Sequence, residues 1–256
     1  MTDAAVPSTV QVHRRSTTMW VELRAPRANA LSPVLVQDLT DALIEGEREQ
    51  VRAVVLLSGR AQFCSGFDLS GIVERTDDEL LARFVRIELL LQRLRRMPAT
   101  TVCLVDGWGV GAGADLVLAC NHRVGTPNAR FRFPGGDFGV ALGKGQQRAR
   151  LTDAGWAAVA AGRTLDAAEA VHAGVLTEPV DPAVDGPERR AVLEAAASDI
   201  IGRGADASPE YRRELTRMEQ CPVDDADELL RLVRTASAPG LQRRMADFAS
   251  RSKAKA

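Results

Sequence analysis

Two unbroken apolar runs, each followed by a glycine-containing turn, constrain this chain more than any other feature. The runs are Ala53-Val-Val-Leu-Leu57 and Thr101-Val-Cys-Leu-Val105. Strands that alternate polar and apolar residues have one wet face, so unbroken runs read as strands covered on both faces, the pattern of parallel pairing. Between them Thr76 forms a capping box with Glu79, and Leu80, Phe84, Ile87, Leu91 and Leu94 recur at helical spacing before Pro98 stops the helix. Strand, crossover helix and strand in this order predict an α/β fold.

The remaining signals extend that pattern. Residues 10–13 and 19–23 read as a hairpin. Ser32 caps a helix with Pro33 at its first position, and Leu35, Leu39, Ala42 and Leu43 form its apolar face. A short apolar helix to Ala119 and a strand near Arg123 and Val124 follow the second glycine turn. Beyond Gly143 the chain turns helical, with segments at 152–161, 165–173, 186–202, 209–218, 224–236 and 239–253 separated by glycine and proline.

Composition excludes several classes. A formal net charge of −1 over 256 residues leaves no basic field for nucleic acid. The arginine clusters at Arg93, Arg95 and Arg96 and at Arg212 and Arg213 are interspersed with acids and read as solvated helix faces. No apolar stretch is long enough for a membrane span, and the first eight residues lack a secretory pattern. Cys64, Cys103, Cys120 and Cys221 have no paired metal spacing, and His13, His122 and His172 are scattered. The expectation is a cytoplasmic protein with reduced thiols, no metal and no membrane or nucleic-acid partner.

The chemistry should sit in the two turns, Ala61-Gln-Phe-Cys-Ser-Gly-Phe-Asp-Leu69 and Asp106-Gly-Trp-Gly-Val-Gly-Ala-Gly-Ala-Asp-Leu116. Glycine lets backbone approach a ligand closely, and two amides converging on one oxygen make an oxyanion hole. The alternative is tight packing of strand on helix. Gly109-x-Gly111-x-x-Ala114 also matches a dinucleotide fingerprint, but its helix ends by Asn121 and no acid follows the next strand to hold a ribose.

Taken together these segments resemble the crotonase (enoyl-CoA hydratase/isomerase) superfamily. Phe63-Cys-Ser-Gly-Phe-Asp-Leu69 is similar to its F-C-A-G-A-D-L, and Val105 to Cys120 to its V-N-G-x-A-x-G-G-G-x-E-L-A-L-A-C. Asn29-Ala-Leu31, Ala129-Arg-Phe131 with Pro134 and Gly139, Ala167-Ala-Glu-Ala170 with Gly174, and Met245-Ala-Asp-Phe248 with Arg251 match further motifs in order. The resemblance implies a spiral core of ββα units over residues 1–195 and a helical region over 196–256. It further implies an acyl-CoA thioester as ligand, assembly as a homotrimer or dimer of trimers, and no cofactor beyond the coenzyme A of the substrate. Carried over by position, the amides of Phe67 and Ala112 would form the oxyanion hole. Arg27, Ala28, Ser65, Gly66, Asp68, Leu69, Trp108, Gly111 and Pro134 would line the CoA and substrate channel, with Phe248 and Arg251 closing it.

A hydratase of this superfamily uses two glutamates around one water. Here Asp115 stands at the first position, a shorter carboxylate near a helix start, serving either as catalytic group or as a local bond acceptor. Gly135 stands at the second, with Asp137 two residues on as a catalytic candidate and Lys144 as a further polar one. Ala112, in place of glycine, suits an amide donor only if its φ stays negative. Phe67, Trp108, Phe133 and Phe138 suit an apolar or ring-bearing acyl group. The leading expectation is a hydratase- or isomerase-like enzyme. The alternatives are another enolate reaction (decarboxylation, C–C hydrolysis, thioester hydrolysis) or acyl-CoA binding without catalysis.

Overall fold

The computed structural model describes residues 8–179, 188–203 and 209–253. The N-terminal expectation for residues 1–7, the start of the helix expected from 186, and the final Lys/Ala tail lie outside them.

Strands β1 (Val10–Arg15) and β2 (Thr18–Leu23) form the expected antiparallel hairpin, Val10 opposite Leu23. A four-residue turn follows, α1 (Pro26–Asn29), in which Arg27, Ala28 and Asn29 adopt φ of 53°, 55° and 55°. Left-handed backbone at non-glycine residues persists only where surroundings fix it. Asn29 supplies the fixing, donating from Nδ2 to Ser58 Oγ at 2.8 Å and to the Phe63 carbonyl at 2.9 Å. Helix α2 (Pro33–Arg48) starts as read, with Ser32 accepting from the Leu35 amide.

The crossover units then repeat. Strand β3 (Ala53–Ser58) pairs parallel with β2, the capped helix α3 (Asp77–Arg95) crosses over, and β4 (Thr100–Val105) pairs parallel with β3. After β5 (Trp108–Val110) and α4 (Ala112–Leu118), β6 (His122–Gly125) adds to β4. β7 (Arg130–Arg132) pairs with β5 in a separate two-stranded sheet. Helices α5 (Lys144–Arg150), α6 (Asp153–Ala160) and α7 (Ala167–His172) lead to β8 (Glu178–Pro179), which closes a six-stranded sheet of order β1-β2-β3-β4-β6-β8. The described chain ends in α8 (Arg189–Gly202), α9 (Pro209–Glu219), α10 (Asp225–Ala236) and α11 (Leu241–Lys253). Helix α8 runs unbroken through residues 195 and 196.

The unbroken runs are buried on both faces, as read. Val54 and Leu56 of β3 face the main core with α2 and α3, while Val55 and Leu57 pack with Leu193, Ala197 and Ile200 of α8. Cys64, Cys103, Cys120 and Cys221 are buried and free. Among the described residues, no helix is long and apolar enough to cross a membrane, and no group of three or more His, Cys, Asp or Glu is placed to hold a metal.

A buried ionic group ties α3 to the C-terminal helices. Arg95, read from the sequence as part of a solvated helix face, is instead 1% exposed and donates to Glu88 Oε1 at 3.1 Å, Asp225 Oδ1 at 2.9 Å and Gln146 Oε1 at 3.0 Å. Burial pushes the Glu88 carboxyl up even with Arg95 beside it. Breaking such a pair from one side strands the other charge, at a cost of about 3–5 kcal/mol. Arg95→Met is therefore expected to lower unfolding free energy in urea by about 3 kcal/mol at neutral pH, and by less in acid, where Glu88 takes a proton.

Candidate active site

The two glycine turns meet at the carboxyl ends of β3 and β4, where open parallel sheets place their ligands. Backbone pairing draws three segments side by side. Ser65 donates to the Ala28 carbonyl at 2.9 Å and Leu31 to that of Gly66 at 2.7 Å. Cys64 donates to Trp108 and Val110 to Cys64, each at 3.0 Å. Gly66 has φ +82°, and a Cβ there would overlap the Val110 carbonyl oxygen and reach 3.3 Å from the Ala112 nitrogen. Only glycine lets the turns close this far. Ala112 opens α4 and is absent from the residues of positive φ, so its amide meets the condition set by the missing glycine. Neither the Phe67 nor the Ala112 amide donates to a backbone carbonyl among the described residues.

Beside these amides a cavity opens, lined by Ser65, Phe67, Leu69, Gly111, Ala112, Asp115, Pro134, Lys144 and Phe248, among others. Five of the chain's seven phenylalanines line it (Phe67, Phe84, Phe133, Phe138 and Phe248), in a protein only 4% aromatic. Phe67 stacks on Phe84 with centroids 4.3 Å apart, Phe84 on Phe138 at 6.4 Å, and Phe138 meets Phe248 at 5.1 Å. This chain of rings runs from the first glycine turn across α3 to α11, so one face is closed by the same chain's own last helix.

Asp115 is the acid at the cavity floor, 3% exposed. Its Oδ1 accepts from Gln147 Nε2 at 2.7 Å, and Gln147 Oε1 in turn accepts from Lys144 Nζ at 2.9 Å. Gln146 donates to the Asp115 carbonyl at 2.8 Å. Burial pushes the Asp115 carboxyl up to about 7, against the Gln147 bond and the Lys144 charge, which favour the anion. A carboxyl in that range can take a proton or give one near neutral pH. Gly143 is needed beside it, since a Cβ there would lie 2.7 Å from Oδ1.

The structure separates the other sequence candidates. Ser65, Phe67, Leu69, Gly111, Ala112, Pro134 and Phe248 line the cavity, while Gly66 sits behind it against the Val110 carbonyl. Asp137 does not join them: its carboxylate accepts from Arg132 at 2.9 Å and is 40% exposed. Trp108, 38% exposed, lies off the cavity wall, and Arg251 is exposed on α11. Arg27, whose side chain is 62% exposed, reaches Asp68 at 3.5 Å at the rim, and Ser65 Oγ donates to the Arg27 carbonyl at 2.9 Å. Cys64 is no nucleophile here, because burial pushes its thiol up to about 12. Sequence reasoning missed Phe84, which it placed only on the helix's apolar stripe, and Gln147, which carries no signal beyond its distance from Lys144.

The enoyl-CoA hydratase/isomerase family model matches residues 13–239. A solved Bordetella parapertussis structure assigned to the enoyl-CoA hydratases/isomerases superposes with a TM-score of 0.84 at 32% identity, over 94% of this chain and 98% of that one. Enoyl-CoA hydratase from Bacillus halodurans, at 18% identity and TM-score 0.78 over 94% and 100% of the two chains, shares the fold. The Mycobacterium tuberculosis protein "Probable enoyl-CoA hydratase echA6" is 33% identical over 170 residues, 60% of this chain and 64% of that one. Human ethylmalonyl-CoA decarboxylase is 31% identical over 116 residues, 44% of this chain and 38% of that one. The match to a rice peroxisomal fatty acid beta-oxidation multifunctional protein covers 17% of its length, so these curated relatives are each matched over less than two thirds of their extent. By its sequence from residue 13 to 239 and by its fold, the chain belongs to the enoyl-CoA hydratase/isomerase family.

Proposed function

We propose that the cavity receives the acyl group of a coenzyme A thioester and that Asp115 moves the proton at its α-carbon. The observation that carries this reading is a buried carboxyl held near neutrality, facing an apolar cavity beside two backbone amides. The Phe67 and Ala112 amides would both donate to the thioester oxygen, stabilising the charge that develops there as the α-proton leaves. Phenylalanine walls suit an apolar acyl chain and keep water from the enolate. Arg27, Ala28 and Asp68 at the rim, with Ser65 and Leu69 of the cavity wall, would hold the coenzyme, together with Arg251 on the closing helix.

One carboxyl can take a proton from one carbon and return it to another, so isomerisation of an enoyl thioester asks nothing more of the site. Hydration asks for a second group on the water, and Gly135 supplies none. Gly135 and the partial match to ethylmalonyl-CoA decarboxylase support a second reading, decarboxylation to the same enolate, with Asp115 delivering the proton that replaces the departing carboxyl. We also propose assembly as a trimer or dimer of trimers, as family membership implies, which sedimentation tests directly.

The test is incubation in D2O with a panel of acyl-, enoyl- and carboxyacyl-CoA thioesters, each followed by mass spectrometry. Deuterium at the α-carbon, a shifted double bond, or a loss of 44 Da with deuterium gained would support the enolate site, and the three products separate the reactions. A thioester that binds yet shows none of them would sink catalysis and leave an acyl-CoA-binding protein.

A further inference from the structure

Of the 33 lysines and arginines, thirty are arginine, and lysine stands only at 144, 253 and 255. Every cation from residue 1 to 252 is thus arginine except the one on the cavity wall. Arginine is suited to structural ion pairs, whereas lysine presents a compact point charge with three donors. Lys144 spends one donor on Gln147 Oε1, at 2.9 Å, and makes no ion pair among the described residues. The Gln147 amide stands between it and Asp115, so the two charges are linked without touching.

Its place is also wrong for stability. Lys144 is the first residue of α5, where the positive end of a helix disfavours a cation. The amides there are already served, Gly145 donating to the buried Glu228 at 2.7 Å and Gln146 to it at 3.4 Å. The cavity offers no acid besides Asp115, because its other family position is Gly135, which lines the same space. A site lined by apolar residues and holding one unpaired ammonium is complementary to an apolar ligand that brings its own anion.

We propose that Lys144 recognises a carboxylate carried on the acyl group, so that the preferred ligands are carboxyacyl-CoA thioesters over plain fatty acyl-CoA thioesters. This inference rests on the thioester reading above. A charge-assisted bond made inside such a cavity should give at least tenfold in affinity. The experiment is calorimetric binding of an alkylmalonyl-CoA and of its neutral methyl ester to the wild-type chain, to Lys144→Met and to Lys144→Gln. Wild type is expected to prefer the free acid by at least tenfold, and in both variants the ratio of the two affinities should collapse to about one. Thermal melts of the three proteins check that each is folded. Equal affinities in wild type, or a preference that survives both substitutions, would overturn the inference while leaving the thioester site standing. Failure of both ligands, with butyryl-CoA also unbound, would instead remove the thioester reading and this inference with it.

Discussion

Asp115→Asn is expected to slow α-proton exchange by roughly 10²–10⁴-fold and to make the protein more stable. The two effects share one cause, burial of a carboxyl that must ionise to act as base. Its ordinary value of 3.8 rises to about 7 in the folded chain. Between those limits the folded state keeps a proton that the unfolded state releases, so the contribution of Asp115 to stability is greatest below pH 4 and falls as pH rises through 7. At 1.36 kcal/mol per unit the loss approaches about 4 kcal/mol above pH 8. Asparagine has the same shape, still accepts from Gln147, and carries no charge to desolvate. Urea titrations should therefore show little gain for the variant at pH 4 and a gain of about 2–4 kcal/mol at pH 8. Exchange by the wild type should rise with pH through 7 and level off above about 8, where the carboxylate is almost fully formed. A variant that gains no stability at pH 8 would mean that Asp115 is solvated and wrongly placed as the base.

The second large effect is expected at Gly66. Alanine there must hold a left-handed φ of +82° and push its Cβ into the Val110 carbonyl, which belongs to backbone and has little room to yield. Strain and overlap together should cost about 3 kcal/mol or more. Relief by spreading the turns would move the Phe67 amide away from that of Ala112, and a shift near 1 Å costs about a hundredfold in rate. Gly162→Ala is the matched comparison. It shares the positive φ, at +68°, but its Cβ would meet nothing within 4 Å. Unfolding midpoints and exchange rates of the two variants separate strain from overlap: Gly66→Ala should lose clearly more of both. Equal losses would show that the close approach of the turns does not matter.

The parts of this fold legible in the sequence are those whose local and global preferences agree. Strands β3 and β4 could be read because a strand covered on both faces has no polar positions to confuse the pattern. The start of α3 could be read because Thr76 and Glu79 satisfy each other's backbone groups without help from elsewhere. Strands β5 and β7 could not, since three residues such as Trp108-Gly-Val110 become a strand only by meeting Arg130-Phe-Arg132. Helix α5 was hidden for a similar reason. It has no apolar stripe, and its first amides are held by Glu228, more than eighty residues away. At the site, the glycine turns and Asp115 followed from position along the chain. Asp137 was nominated by proximity to Gly135, but Arg132 lies within reach and holds it outside. Phe84 shows the converse: a residue on the helix's core face can also be a cavity wall, because the core ends there.

The row of rings from Phe67 to Phe248 also bears on how the protein acquires its site. A binding surface shared between the first glycine turn and the last helix cannot exist in any fragment that lacks either Phe67 or Phe248, and it forms only after very sequence-distant contacts are made. Ligand binding is then coupled to the whole cooperative unit. By mass action a thioester at a hundred times its dissociation constant would stabilise the chain by about 2.7 kcal/mol. Thermal shift on adding a candidate thioester would thus report occupancy of the cavity even for a compound that the protein does not turn over.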